Sequence, residues 1–140
     1  MYINQCTYFF QAAFQKADKI VSMLLEFGAS IDALDKGNNS ALAYAAYSGC
    51  IDTTTLLLEK GADPNLPTKE ELWSPLHQAA REGHSLTVTA LATHAGAGVN
   101  ARDKELRTPL HWAVFSEDMP SVVMLLENNA NAMLEDAAGQ

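Results

Sequence analysis

The chain has 140 residues, 48% of them apolar, and a formal net charge of −8 at pH 7. That length and composition suit one globular domain with a continuous core. The acidic balance argues against direct nucleic-acid binding, which needs cations to neutralise phosphates. No apolar run approaches the roughly 20 residues of a membrane span, and no secretory signal is legible, so membrane insertion is not expected. Two cysteines without a spacing motif point to a reducing, intracellular setting, cytoplasmic or nuclear.

Four similar units follow one another along the chain. Thr7-Tyr8-Phe9-Phe10-Gln11-Ala12-Ala13 opens the first. Ser40-Ala41-Leu42-Ala43-Tyr44-Ala45-Ala46 opens the second, 33 residues on. The pattern sharpens in Ser74-Pro75-Leu76-His77-Gln78-Ala79 and again, 34 residues later, in Thr108-Pro109-Leu110-His111-Trp112-Ala113. Each start is followed by a second apolar stretch: Met23-Leu24-Leu25, Leu56-Leu57-Leu58, Leu91-Ala92 and Met124-Leu125-Leu126. A turn comes next in every unit, at Gly28-Ala29, Gly61-Ala62, Gly96-Ala97 and Asn129-Ala130. Single-residue offsets fall in 67–73 and 93–95, at element ends, where an extra residue is best tolerated. Repeats of about this period stack into one array, with function on a surface and not in a catalytic pocket. The units run approximately 3–35, 36–68, 69–102 and 103–135.

Local chemistry predicts how one unit folds. Ser74 and Thr108 are good N-caps, and Pro75 and Pro109 sit at the first helical position, where a missing N–H costs little. Short helices are expected near 75–82 and 109–116. Gly49 and Gly83 supply a tight reversal at positive φ. Second helices are expected near 18–27, 51–60, 85–94 and 119–128, with Gly28, Gly61, Gly96 and Asn129 closing them in the left-handed conformation. The remainder of each unit can form a projecting hairpin. Two helices this short bury too little alone, so stacking supplies the core. Leu57, Leu76, Leu91, Leu110 and Leu125 are expected to be buried.

These features resemble the ankyrin repeat family over almost the whole chain. The strongest match runs from Ser74 to Asn100, with Ser74-Pro75-Leu76-His77, the Gly83-His84 turn, an apolar second helix, Gly96-Ala97 and Asn100; Asn65 ends the second unit in the same way. The resemblance implies an all-α solenoid of stacked helix-turn-helix repeats with projecting hairpin loops, the fingers. It also implies that His77 and His111 bond loop backbone and hold successive fingers in register, with a structural role for His84 as well. Several positions depart from the pattern. Lys16 and Glu117 replace the glycine between the helices, which predicts strained or differently shaped turns. Leu106 replaces a finger glycine, and the first unit lacks a recognisable finger. Asp136-Ala137-Ala138-Gly139-Gln140 reads as the start of a truncated fifth repeat. An uncapped apolar end near Met133 and Leu134 would then favour weak self-association.

Enzyme chemistry finds little footing. Zinc needs about four ligands at roughly 2.0–2.3 Å, whereas equivalent histidines on stacked helices lie about 8–10 Å apart. Cys6, placed in the finger region, and Cys50, after the inter-helix glycine, fall at opposite ends of a unit, which disfavours a disulfide. No catalytic Cys–His signature, paired carboxylates or phosphate loop is present. No metal and no cofactor are expected.

In the resembled family, partners bind the concave side formed by fingers and first helices. Mapped onto this chain, that side carries Phe14, Gln15, Tyr44, Tyr47, Ser48, Gln78, Arg81, Glu82, Trp112, Phe115 and Ser116. The finger tips add Lys36, Asn39, Glu70, Glu71, Trp73, Lys104, Glu105 and Arg107. Aromatics and arginine are enriched at binding hot spots. Trp73, Trp112, Arg81 and Arg107 are therefore the expected anchors, with Tyr44, Tyr47, Phe115 and Lys104 beside them. With Lys69, the same side holds five of the nine cations, while Asp18, Glu26, Asp52, Glu59, Asp118 and Glu127 map to the other. The expected function is non-enzymatic binding of a protein or peptide. A substrate-recruiting segment of a larger ligase receptor or transferase, and a structural spacer, stay open as alternatives.

Overall fold

A computed structural model describes the backbone of residues 2–140 and the side chains of residues 7–140. The described residues form eight helices in four successive pairs: α1 (Tyr2–Phe14) with α2 (Asp18–Glu26), α3 (Ala41–Ser48) with α4 (Ile51–Glu59), α5 (Pro75–Arg81) with α6 (Ser85–Ala92), and α7 (Pro109–Phe115) with α8 (Met119–Glu127). First helices pack on one another in the order α1, α3, α5, α7. Second helices do the same in the order α2, α4, α6, α8, and each pair also packs together. The core is one continuous slab between these two layers. Phe9, Leu42, Leu57, Val88, Leu91 and Leu125 are nearly or wholly excluded from solvent within it, and Leu76 is buried beside them. Small residues set the spacing: Ala13, Ala45, Ala46, Ala79, Ala80 and Ala113 have no exposed surface.

The caps form as their chemistry dictates. Ser40 Oγ accepts from Ala43 N at 3.1 Å. Ser74 and Thr108 each make a capping box in which histidine takes the place usually held by glutamate. His77 Nδ1 accepts from Ser74 N at 3.1 Å, and His111 Nδ1 accepts from Thr108 N at 3.0 Å. With Nδ1 an acceptor, the ring proton sits on Nε2. There it donates to the next finger, from His77 to Arg107 O and from His111 to Gln140 O, both at 3.1 Å. Each histidine thus ties its own helix start to the following unit.

The inter-helix turns share one shape. Gly49 and Gly83 have φ of 68° and 72°, while Lys16 and Glu117 take 61° and 56°. The departure from glycine leaves the geometry unchanged and costs roughly 1–2 kcal/mol at each residue. Only at Gly49 does packing demand glycine: an added Cβ would lie 2.6 Å from the His84 ring. That ring is held there by Nε2 bonded to Tyr47 O at 3.0 Å.

Fingers are closed by a repeated aspartate device. Asp35 Oδ1 accepts from Gly37 N and Asn39 N, both at 2.8 Å. Asp103 Oδ1 accepts from Glu105 N and Arg107 N, and Asp136 Oδ1 from Ala138 N and Gln140 N, all at 2.9 Å. The third finger has no aspartate. Thr68 replaces it, with Oγ1 accepting from Trp73 N at 3.0 Å, and one extra residue is absorbed in the loop. Neighbouring fingers are joined by single backbone bonds, Lys69 N to Gly37 O at 2.8 Å, Lys104 N to Glu71 O at 2.9 Å and Ala137 N to Glu105 O at 2.9 Å.

Two expectations need correction. The first unit does not open at Thr7, because α1 begins at Tyr2. No proline follows Thr7 to fix a start there, so the helix runs back through residues 2–6. Position 6 therefore lies in a helix and not in a finger; the Cys6 side chain, and with it the reading of the two cysteines, lies outside the described residues. Leu110 is half-buried, unlike its equivalents Leu42 and Leu76, because it faces the outer side of the last pair.

Candidate functional site

Repetition aligns side chains into rows along the fingers and first helices. Phe14, Tyr47, Arg81 and Phe115 occupy equivalent places in the last turns of α1, α3, α5 and α7. All four are solvent-exposed, Phe115 by 73%. Tyr44, Gln78 and Trp112 form a deeper row one turn earlier. Asn39, Trp73 and Arg107 form a third row, where each finger returns to its helix.

The expected anchors Trp73, Trp112, Arg81 and Arg107 do come together, around an acceptor that the sequence did not single out. Asp103 is 2% exposed. Its Oδ2 accepts from Trp73 Nε1 at 3.1 Å, Trp112 Nε1 at 3.0 Å and Arg107 Nε at 3.1 Å, while Oδ1 holds the finger backbone. Burial pushes the Asp103 pKa upward, but these donors and the Arg107 charge outweigh it and hold the carboxyl below its ordinary range. The two indoles meet edge-to-face with centroids 5.4 Å apart, and Trp112 meets Phe115 in the same way at 5.6 Å. Arg107 lies 4.3 Å from the Trp112 ring centroid, and Arg81 lies 5.1 Å from that of Trp73 and 5.8 Å from that of Trp112. Cation–π contact holds both guanidiniums against the indole rings. Trp112 itself is buried, so its ring is the platform of this cluster more than its outer surface. Lys104 stands exposed at the finger tip beside it.

A second aromatic group occupies the first two units. Phe14 stacks on Tyr47 with centroids 6.2 Å apart, and Tyr44 lies between Phe14 and Phe10. The Tyr44 hydroxyl donates to Asp35 Oδ2 at 2.6 Å. Burial first, then this bond and the adjacent charge, push the phenol up to about 12. Tyr44 and Tyr47 thus join Phe14 in a patch separate from the tryptophans. A concavity of about 990 Å³ opens on the far side of the tryptophan cluster, between Arg81, Arg107 and Phe115 and the side chains of Leu110, Val122, Leu126 and Leu134.

The histidines belong to the scaffold. His77 has both ring nitrogens bonded, and burial lowers its pKa against the raising effect of its backbone partners. Among the described residues, no group of His, Cys, Asp and Glu could hold a metal. Cys50 is buried, its thiol donating to Thr53 Oγ1 at 3.1 Å. No helix among the described residues is long and apolar enough to cross a membrane.

Stacked helix pairs, capping histidines and aspartate-closed fingers define a helical repeat solenoid. The family model described as "Ankyrin repeats (3 copies)" matches residues 2–68 and 66–136, and the chain belongs to the ankyrin repeat family. It is 35% identical over 103 residues to Cyclin-dependent kinase inhibitor 2A of Monodelphis domestica, covering 74% of this chain and 59% of that protein. It is 32% identical over 120 residues to a putative ankyrin repeat-containing protein of Treponema pallidum (strain Nichols), covering 86% and 40%. With Inversin of Canis lupus familiaris the identity is 30% over 118 residues, covering 84% and 11%. The chain spans less than two thirds of the length of each of these relatives.

Proposed function

We propose that the chain is a non-enzymatic protein-binding module that holds a protein or peptide across the fingers and first helices of units two to four. The observation that carries this reading is the exposed row Phe14, Tyr47, Arg81 and Phe115 beside a pre-assembled Trp73–Trp112–Arg107–Asp103 cluster. Arg81, Arg107 and Trp73 are the anchors, Trp112 is the ring against which both arginines are set, Tyr44, Tyr47 and Phe115 wall the groove, and Lys104 reaches in from its finger. A relative whose name makes it an inhibitor of a kinase acts on another protein, which fits this reading. Among the described residues, the buried His77 imidazole is committed to structural bonds through both ring nitrogens, and the buried Asp103 carboxylate to five donors, which fits a binding role.

Selection of a random peptide display library on the immobilised chain tests the face. Arg81→Ala and Phe115→Ala should each weaken selected binders by more than about 1 kcal/mol, roughly fivefold. Glu59→Lys and Glu127→Lys on the second helices should change only salt dependence. Binders that tolerate both groove substitutions and are lost on either charge reversal would place the surface elsewhere.

A further inference from the structure

We infer that the groove is built for a polyproline-II segment with an acidic side chain placed three residues from an apolar one on either side. This rests on the reading just given and adds the chemistry and register of the ligand. One exposed side chain per repeat lines the row: Tyr47, Arg81 and Phe115. The helices bearing them pack directly on one another, Ser116 Oγ at the C-cap of α7 donating to Ala80 O on α5 at 2.8 Å. Packed helices lie about 8–10 Å apart. A polyproline-II chain presents the same face every three residues, which at about 3.1 Å per residue is roughly 9.3 Å. A β-strand repeats its face every two residues, about 6.8 Å, and falls out of step within one repeat. A ligand helix with anchors seven residues apart, about 10.5 Å, also comes near the step. Its backbone acceptors, however, are used internally, whereas those of polyproline II are free. This face offers donors to match: among the described residues, the Lys36 and Lys104 amines and both terminal nitrogens of Arg107 have no acceptor.

Charge sets the order of the side chains. The middle place of the row is Arg81, and its neighbours are aromatic. The Arg81 guanidinium spends a face on the tryptophans and one nitrogen, Nη1, on Glu82 at 2.8 Å. That ion pair is exposed, 39% and 31% for the two side chains, so a ligand carboxylate can replace Glu82 at little cost. Nε and Nη2 remain as an open edge suited to a carboxylate. Tyr47 and Phe115, 44% and 73% exposed, then receive the two apolar side chains. The pattern is the same read in either chain direction.

The test uses acetylated, amidated peptides followed through the fluorescence of Trp73 and Trp112, the two tryptophans of the chain. The first probe is Pro-Pro-Leu-Pro-Pro-Glu-Pro-Pro-Leu-Pro-Pro. A second has the same composition with glutamate two residues from one leucine, a third carries Gln for Glu, and a fourth is a helix-forming peptide with seven-residue anchor spacing. The first should bind about tenfold more tightly than the second and the third. Arg81→Gln, checked for an unchanged circular dichroism melt, should erase the preference for Glu over Gln while leaving the Gln peptide's affinity in place. Equal binding of the first two, tighter binding of the helical probe, no binding of any, or a Glu preference that survives Arg81→Gln overturns the inference. The display selection separates the two failures. Selected binders that still depend on Arg81 and Phe115 but follow another spacing leave the face intact and remove only the register.

Discussion

Asp103→Asn keeps the size and shape of the side chain and removes one acceptor, and it should be nearly as damaging as Asp103→Ala. Oδ1 accepts two backbone N–H groups and Oδ2 accepts three side-chain N–H groups. An amide turned one way sets its NH2 against three donors; turned the other way, against two. No rotamer satisfies the site. A buried donor left without an acceptor costs about 1–3 kcal/mol. Trp112 Nε1, on a buried ring, counts in full, while Trp73 Nε1, the finger amides and the Arg107 guanidinium regain some water. A loss of about 3–5 kcal/mol follows, a large share of a stability that is typically about 5–15 kcal/mol. Asp136 provides the internal control. Its Oδ1 takes both finger amides and its Oδ2 has no hydrogen-bond partner among the described residues, so Asn can keep the acceptor inward and turn NH2 to solvent. Asp136→Asn should therefore melt with the parent. Urea titrations followed by circular dichroism and tryptophan fluorescence read both variants. A Asp103→Asn midpoint equal to the parent's, beside a depressed Asp103→Ala midpoint, would falsify the donor-crowding argument.

Two further outcomes follow from polar groups in the scaffold. Thr54 is fully buried and its hydroxyl has no hydrogen-bond partner, so Thr54→Val, which keeps the shape, should raise stability by about 1 kcal/mol in a urea melt; a lower midpoint would mean the hydroxyl is satisfied. The Tyr44 phenol is raised to about 12 in the folded chain against an ordinary value near 10, so the stability it adds is whole below about pH 10 and lost as pH rises toward 12. Tyr44→Phe should lie below the parent at pH 8 and converge with it by pH 12, and a constant gap across that range would contradict the assignment.

The fold was legible because its signals are local. In Ser74-Pro75-Leu76-His77, the cap, the first helical residue and the N3 acceptor are four consecutive positions, and each does its work within one turn. The turn at Lys16 and Glu117 was harder to read. Its positive φ is imposed by how two helices must join, and the residue type only changes the cost. Asp103 was missed because its importance comes from distant partners: Trp73 reaches it from 30 residues away in the preceding finger, and Trp112 from nine residues on. One signal was available. Asp35 precedes Tyr44 by the same nine residues and bonds its hydroxyl, so the pairing of a finger aspartate with a polar aromatic recurs in the sequence itself. The burial of Trp112 follows from that pairing, since an indole N–H can enter the interior only where an acceptor waits.

The two aromatic patches differ in what they offer a partner. At Phe14, Tyr44 and Tyr47 the nearest aspartate, Asp35, spends its outer oxygen on the Tyr44 phenol and on Asn39, and no cation among the described residues lies over the rings. That patch gives area without charge. At Trp73, Trp112 and Phe115 the corresponding aspartate faces two indoles and an arginine, and two guanidiniums lie against the rings. Stacking removes much of the side-chain freedom that arginine would otherwise lose on binding, about 0.5–1.5 kcal/mol for such a side chain. On the binding reading proposed above, selectivity for charge would concentrate in units three and four, and apolar contact would extend through units one and two. A ligand long enough to meet both would gain affinity from the first patch and its identity from the second.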